Sequence, residues 1–153
     1  MNSLPAVKGV RQEMLIGEYG YNIDIKGRLN FPAKLRDDMG ERFIVSKGLG
    51  DKCLYAYSLE QWKLKQERIK ELPISKARQL QRYLFSSACE CEPDKQGRIV
   101  IPQPLREFAG LTKEVMIIGA DDRCEIWDKA EWDAVCGEMN AESIGELIDA
   151  LGF

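Results

Sequence analysis

Two arginines occupy the same place in two copies of a short motif. Arg28 ends the segment Asp24-Ile25-Lys26-Gly27-Arg28, and Arg98 ends the segment Asp94-Lys95-Gln96-Gly97-Arg98. A guanidinium is a planar fork of N–H donors that matches a phosphate group, and also the O6 and N7 acceptors of guanine. A tight turn needs the aspartate and the glycine but not an arginine at the next position. The repeated Asp-x-x-Gly-Arg motif therefore indicates recognition of a partner by two outward-facing arginines.

The aspartates of the two motifs admit two interpretations. Asp24 and Asp94 each stand four residues before the arginine of their motif. Each pair could serve only as an ion pair that holds its hairpin together. Surface ion pairs contribute about 0–1 kcal/mol, which is a weak reason to repeat one. The alternative is that each carboxylate orients its guanidinium toward a partner.

The motifs belong to a longer internal repeat with an offset of 70 residues. Nine identities fall at this one offset, counted from the first copy at Asp24, Gly27, Arg28, Pro32, Leu35, Arg36, Gly40, Asp51 and Trp62. Chance would give one or two. Between the matching blocks the register slips by about two residues, which a loop in a duplicated module tolerates. The chain is therefore interpreted as two copies of one module.

Each motif is surrounded by further basic residues. Residues 24–36 carry a net charge of +3, from Lys26, Arg28, Lys34 and Arg36 against Asp24. The second copy has Lys95, Arg98 and Arg106 against Asp94, a balance of +2. No aromatic residues alternate with these cations, as they do in platforms that stack single-stranded bases. Duplex DNA is the partner that this pattern favours.

The elements that must position these residues are predicted from turn and cap signals. A strand over residues 18–25 leads into the turn, where Asp24 suits the first position and Gly27 supplies a positive φ. A short strand over residues 28–31 follows, then a helix that begins near Pro32 and ends at Gly40. Strands over residues 42–46 and 54–57 complete the first module. The fold class is therefore α+β and rich in strands.

A helix is predicted to close each module. Ser58 with Gln61 reads as a capping box, and Asp128 with Glu131 as its acidic counterpart. Trp62 and Trp132 are expected to anchor these helices on the core. The resulting division is an N-terminal extension (residues 1–13), a first module (14–73), a connecting helix (74–87), a second module (88–140) and an acidic C-terminal tail (141–153).

Composition narrows the remaining functions. The chain has no histidine, so the commonest general base and metal ligand is missing. Its five cysteines are odd in number and irregularly spaced, which argues against a disulfide framework and a structural metal. Nothing resembles a phosphate-binding loop, a signal peptide or a membrane span. We expect a cytoplasmic protein that is not an enzyme, with no cofactor, no small-molecule substrate and no membrane partner.

Charge is distributed unevenly along the chain. The net charge is -3, but residues 121–153 contain ten acidic and two basic residues, and the rest of the chain has a balance of +5. A polyanion responds to the patch that it meets rather than to the sum. The acidic stretch leaves open a second class of function, an oligomeric scaffold that recruits a protein partner without binding DNA.

The quoted motifs resemble those of the MraZ family, bacterial transcriptional regulators with two domains of the SpoVT/AbrB type. The resemblance rests on residues 24–34 and 94–102, with further likeness at residues 17–19, 85–88 and 126–129, and it covers about residues 14–140. Two copies of the motif at this spacing make it specific. It implies a tandem, pseudo-twofold SpoVT/AbrB-like β-barrel with swapped hairpins and flanking helices, assembled into a ring of identical subunits.

The resemblance also implies a target and a set of site residues. The target is duplex DNA carrying short repeated G-rich boxes upstream of the division and cell-wall gene cluster, which the family regulates, usually as a repressor associated with the nucleoid. Arg28 and Arg98 match the DNA-facing arginines, with Lys26 and Lys95 beside them. Lys34, Arg36 and Arg106 are added from charge and proximity alone, and Asp24, Gly27, Asp94 and Gly97 shape the turns.

This sequence departs from the family pattern in two places. It has a 13-residue N-terminal extension, and the second patch has Gln96 and Pro104 where the first has Lys26 and Lys34. Whether both modules contribute equally is therefore open. An antitoxin-like relative of the same fold is a further alternative, although a single shorter module would be expected for it.

Overall fold

The computed structural model describes residues 14–152, which form the same order of elements twice. The first half contains β1 (Glu18–Asn22), β2 (Arg28–Asn30), α1 (Ala33–Met39), β3 (Phe43–Lys47), β4 (Leu54–Ser58), α2 (Leu59–Ile69) and α3 (Ile74–Phe85). The second half contains β5 (Cys89–Cys91), β6 (Arg98–Val100), α4 (Gln103–Ala109), β7 (Glu114–Gly119), β8 (Cys124–Asp128), α5 (Lys129–Glu138) and α6 (Ala141–Leu151). The N-terminal extension predicted over residues 1–13 lies outside the described residues.

The first strand of each half pairs with the other half. The larger sheet has six strands in the order β1-β7-β8-β4-β3-β5, and all of its neighbours are antiparallel. In this sheet Tyr19 of β1 lies opposite Ile117 of β7, and Cys89 of β5 lies opposite Val45 of β3. The order is symmetric about the central β8–β4 pair. The strand-rich α+β fold with two exchanged repeats is thus confirmed.

The second strands of the two halves form a separate two-stranded ribbon. Arg28 lies opposite Val100, Leu29 opposite Ile99, and Asn30 opposite Arg98. Two hydrogen bonds extend the ribbon into the turns, from Phe31 N–H to the Gly97 carbonyl at 2.9 Å and from Ile101 N–H to the Gly27 carbonyl at 2.8 Å. The ribbon therefore ties the two motif turns directly to each other.

One hydrophobic core lies between the ribbon and the six-stranded sheet. Leu29 and Ile99 enter it from the ribbon, and Val45, Ile117 and Ile126 enter it from the sheet, all at 1% exposure or less. Burying a side chain of this size contributes about 1.5–3 kcal/mol. Since both halves supply this core and exchange strands across it, the two halves stabilise each other.

The closing helices lie on the other face of the sheet. The Trp62 ring of α2 lies 5.8 Å from that of Tyr57, and the Trp132 ring of α5 lies 5.8 Å from that of Trp127. Both tryptophans contact a second buried cluster but stay partly exposed. The Trp132 indole N–H also donates to Glu18 at 2.7 Å. Each tryptophan therefore anchors its helix, as predicted, from the edge of the core.

The two predicted helix caps have different outcomes. The Ser58 hydroxyl accepts the N–H of Gln61 at 3.1 Å, so the N-cap half of the predicted capping box is confirmed. The Asp128 side chain makes no cap hydrogen bond, and that part of the prediction is wrong. One carboxylate oxygen of Asp128 instead accepts the N–H of Thr112 at 3.1 Å and its hydroxyl at 2.8 Å. Asp128 therefore binds a loop residue 16 positions earlier in the sequence instead of the backbone at the start of its own helix.

A third helix follows the closing helix in each half. The connecting segment is α3, which buries Ala77 and Leu84 against Ile69 of α2. The acidic tail is helical over α6, which begins at an Asn140–Ser143 capping box and has no buried residue. No helix in residues 14–152 combines the length and apolar character needed to span a membrane.

Candidate nucleic-acid interface

The Asp24 carboxylate organises the first motif turn. One of its oxygens accepts the backbone N–H groups of Lys26 at 3.0 Å and Arg28 at 2.8 Å. The other oxygen accepts Nε–H of the Arg28 guanidinium at 2.5 Å. The Gly27 N–H closes the turn on the Asp24 carbonyl at 2.9 Å, with φ at 83°. Asp24 therefore fixes the backbone of the turn and the direction of the arginine together.

The second motif turn repeats this geometry. The Asp94 carboxylate accepts the backbone N–H groups of Gln96 and Arg98, both at 2.9 Å, and Nε–H of Arg98 at 3.0 Å. Hydrogen bonds from the arginine N–H, and then from its side chain, hold the pKa of Asp24 and of Asp94 below the usual 3.8. Both carboxylates are therefore charged at neutral pH. Each accepts a side-chain hydrogen bond from Nε of its arginine, and the terminal nitrogens of the guanidinium do not bond to that carboxylate.

The strand alternation of the ribbon places both arginines on its outer face. Leu29 and Ile99 point into the core, so Arg28, Asn30, Arg98 and Val100 point away from it. Arg28 and Arg98 are diagonal neighbours in an antiparallel pair, a relationship that separates two residues by about 7–8 Å. The two guanidiniums, each held by its own aspartate, thus share one surface.

Sequence reasoning missed the other two members of this face. Asn30 and Val100 are exposed, and Val100 has 56% of its surface accessible although it is apolar. The available signal was the two-residue period of a strand, which puts positions 28 and 30 on one face. Ile25, at the tip of the first turn, is 93% exposed and was also missed. Asparagine pairs with adenine through two hydrogen bonds, and apolar side chains contact the thymine methyl group.

The predicted lysines lie at the rim of this face. Lys26 and Lys95 are exposed, two residues after Asp24 and one residue after Asp94 respectively, and Lys34 is exposed in the first turn of α1. None of the three takes part in an ion pair within residues 14–152. Their ammonium groups are free to meet phosphates on either side of the ribbon.

The other two added arginines cross to the opposite module. Arg36 of α1 lies against Gly97, and Arg106 of α4 lies against Gly27. The Arg36 Nε–H donates to the Phe31 carbonyl at 3.0 Å, and Arg106 Nη1 donates to the Ile25 carbonyl at 3.2 Å. These two side chains support the turns from beneath, so the structure separates them from the outer-face arginines with which sequence proximity had grouped them.

The surroundings of the two turns differ in charge. The groove beside the first turn is lined by the basic residues Arg106 and Lys113. Apart from Asp24 of the turn itself, its acidic residue is Glu107. The groove beside the second turn is lined by Arg36 together with the carboxylates of Asp37, Glu41 and Glu92. An anionic partner is therefore attracted more strongly to the turn that carries Arg28.

Other chemistry has little support in the described part of the chain. Across residues 14–152 no three of the cysteine, aspartate and glutamate side chains are placed to hold a metal ion. The thiols of Cys53 and Cys91 are buried, and burial raises the pKa of each. They are therefore protonated and unreactive at neutral pH.

The exchanged strands, the shared ribbon and the paired motif turns define a tandem SpoVT/AbrB-like protein. The family model for MraZ protein, described as antitoxin-like, matches residues 14–82 and again residues 84–148. The chain belongs to the MraZ family.

Curated relatives agree over nearly the whole length. A protein from Caldicellulosiruptor saccharolyticus is 48% identical over 144 residues, which is 92% of this chain and 100% of the relative. One from Acetivibrio thermocellus is 49% identical with the same coverage of both chains. One from Clostridium beijerinckii is 46% identical over 143 residues, again 92% of this chain and 100% of the relative. All three are named Transcriptional regulator MraZ.

Proposed function

We propose that this chain is a sequence-specific transcriptional regulator that binds duplex DNA through the outer face of the β2–β6 ribbon. The observation that carries the proposal is the pair of guanidiniums on that face, each aimed by an aspartate of its own turn. The names of the relatives, all transcriptional regulators, support it.

The ribbon has a shape and a chemistry that suit the major groove. A two-stranded β-ribbon fits that groove, and arginine is the side chain that most often reads guanine there. Arg28 and Arg98 would contact guanine, while Lys26, Lys95 and Lys34 would contact phosphates and fix the register. In this scheme Arg36 and Arg106 act through the turns that they support.

The target is a set of short, repeated G-rich boxes upstream of the chain's own operon in the division and cell-wall gene cluster, and the effect is repression. One ribbon offers a small contact surface and would bind weakly. A ring of identical subunits repeats the ribbon at fixed intervals, so several boxes are engaged at once and affinity rises through effective concentration. The protein acts in the cytoplasm on the nucleoid and needs no cofactor.

A salt series tests the proposal. Binding of the upstream duplex and of a scrambled duplex is measured for the wild type and for Arg28→Ala/Arg98→Ala, with Lys63→Ala/Lys70→Ala as the control. The control removes two exposed positive charges, one on α2 and one at its C-terminal cap, away from the ribbon. We expect the wild type to prefer the upstream duplex and to weaken steeply with salt, as counterion release requires.

The arginine variant should lose the preference for the upstream duplex, while the control keeps it. Equal binding of the two duplexes by the wild type would contradict the proposed function. An unchanged preference in the arginine variant would also contradict it. Asp24→Asn separates orientation from hairpin stability, because an amide still accepts backbone N–H groups but no longer holds the guanidinium by charge. We expect Asp24→Asn to bind both duplexes well and to discriminate poorly between them.

A further inference from the structure

Helix α6 presents an apolar stripe that nothing in residues 14–152 buries. Ile144, Leu147, Ile148 and Leu151 recur at the spacing of one helical face, and their exposed fractions are 38%, 63%, 39% and 74%. None of the residues of α6 is buried. Its counterpart α3 occupies the same place in the first half and buries Ala77 and Leu84. An isolated helix of 11 residues is marginal in water, so α6 requires a partner for this face.

An apolar cleft lies on the first half of the molecule, between α2 and α3. It has a volume of about 260 Å³ and is lined by Leu49, Leu72, Leu80, Leu84, Trp62 and Phe85. Leu49 and Leu72 are 44% and 40% exposed at its mouth. The cleft and the α6 stripe are both apolar, and both are open in a single chain.

Charge indicates which partner fills the cleft. Helix α6 carries Glu142, Glu146 and Asp149 and no basic residue, and it follows α5 in the acidic part of the sequence. Helix α3 carries Lys76, Arg78 and Arg82 and no acidic residue, and Lys65 and Arg68 line the cleft beside it. Opposite net charges on the two helices favour their approach within the screening length of about 8–10 Å.

We propose that α6 of one subunit docks in the α2–α3 cleft of a second copy of this chain. The contact joins two different surfaces, so it is a head-to-tail interface, which generates a closed ring when the rotation between subunits closes. The inference deepens the ring in the proposed function by naming the surfaces that build it. An anionic membrane surface is disfavoured as the occupant, because the helix is acidic.

Two variants separate the surfaces without threatening the fold. Leu147→Asp/Leu151→Asp places charges in the apolar stripe of α6 and leaves the cleft intact. Leu49→Asp/Leu72→Asp places charges at the mouth of the cleft and leaves α6 intact. All four leucines are at least 40% exposed, so each chain should fold alone. Leu59→Asp/Leu64→Asp is the matched control, since these leucines are 42% and 39% exposed on α2 but do not line the cleft.

The measurement is the mass of the assembly, determined by native mass spectrometry in the absence of DNA. We expect the wild type and the control to form a multi-subunit ring, and the helix and cleft variants each to be monomers. Mixing those two variants should give a species of two chains and nothing larger, because only one intact helix–cleft contact remains between them.

A helix variant that keeps the wild-type mass would overturn this interface and leave the proposed ring standing. A mixture that stays monomeric would also overturn it. A monomeric wild type would overturn both the interface and the ring. Duplex binding measured on the same samples tests the regulator function independently of the interface.

Discussion

Arg36 lies against Gly97, a glycine in the other module of the chain. A β-carbon added to Gly97 would come within 2.9 Å of the Arg36 guanidinium carbon. Its counterpart Arg106 meets Gly27 in the same way, with Nε 3.0 Å from the added carbon. Each motif turn is therefore supported by the arginine of the opposite half, and the two turns form one surface.

Gly27→Ala should destabilise the fold more than Gly50→Ala. Both glycines have φ of 83°, where an alanine is strained by about 1–3 kcal/mol. A β-carbon at Gly27 would also lie 2.5 Å from the carbonyl oxygen of Ile101, whereas Gly50 has nothing within 4 Å. Urea unfolding without DNA measures the difference, and equal midpoints for the two variants would contradict the close approach at Gly27.

Removing Arg36 or Arg106 should loosen the turn of the opposite module. Arg36→Ala removes the guanidinium that contacts Gly97, and Arg106→Ala removes the hydrogen bond to the Ile25 carbonyl. Amide hydrogen exchange resolved by residue should therefore speed up at residues 94–98 in the first variant and at residues 24–28 in the second. Faster exchange confined to the variant's own module would show that the cross-support is absent.

Arg28→Ala should weaken binding of the operator duplex more than Arg98→Ala. Loss of one base contact costs about 1–3 kcal/mol, roughly 5- to 150-fold in affinity. The groove beside the Arg98 turn adds the carboxylate of Glu41, whereas the groove beside the Arg28 turn adds Lys113, so DNA is held less closely at Arg98. Titration with guanine-substituted duplexes measures each loss, with Lys63→Ala as the control. A larger loss for Arg98→Ala would reverse the predicted order.

DNA affinity should be nearly constant between about pH 5.5 and 8 at fixed ionic strength. The pKa values of Asp24 and Asp94 are lowered in the fold, so their stabilisation is fully present above the unfolded value of 3.8. It is lost only as the pH falls through the lower folded value. The chain has no histidine to titrate in between. A tenfold change in affinity between about pH 6 and 8 would require a titrating group outside these turns.

Features that depend on residues close together in the chain are predictable from the sequence. Asp24 and Arg28 are four apart, so their turn and ion pair form from one short segment, and the 70-residue repeat predicts the same for Asp94 and Arg98. The Ser58 cap was equally readable, because its partner is three residues away.

Which of these local units share a surface depends on how the two halves pack together. Strand exchange brings β2 beside β6, and that pairing places Asn30 and Val100 on the face of the two arginines. It also carries Arg36 and Arg106 beneath the opposite turns. Asp128 has the same local cap signal as Ser58 but is bound by Thr112. Contacts between distant residues depend on how the two halves pair, and local propensity does not encode that choice.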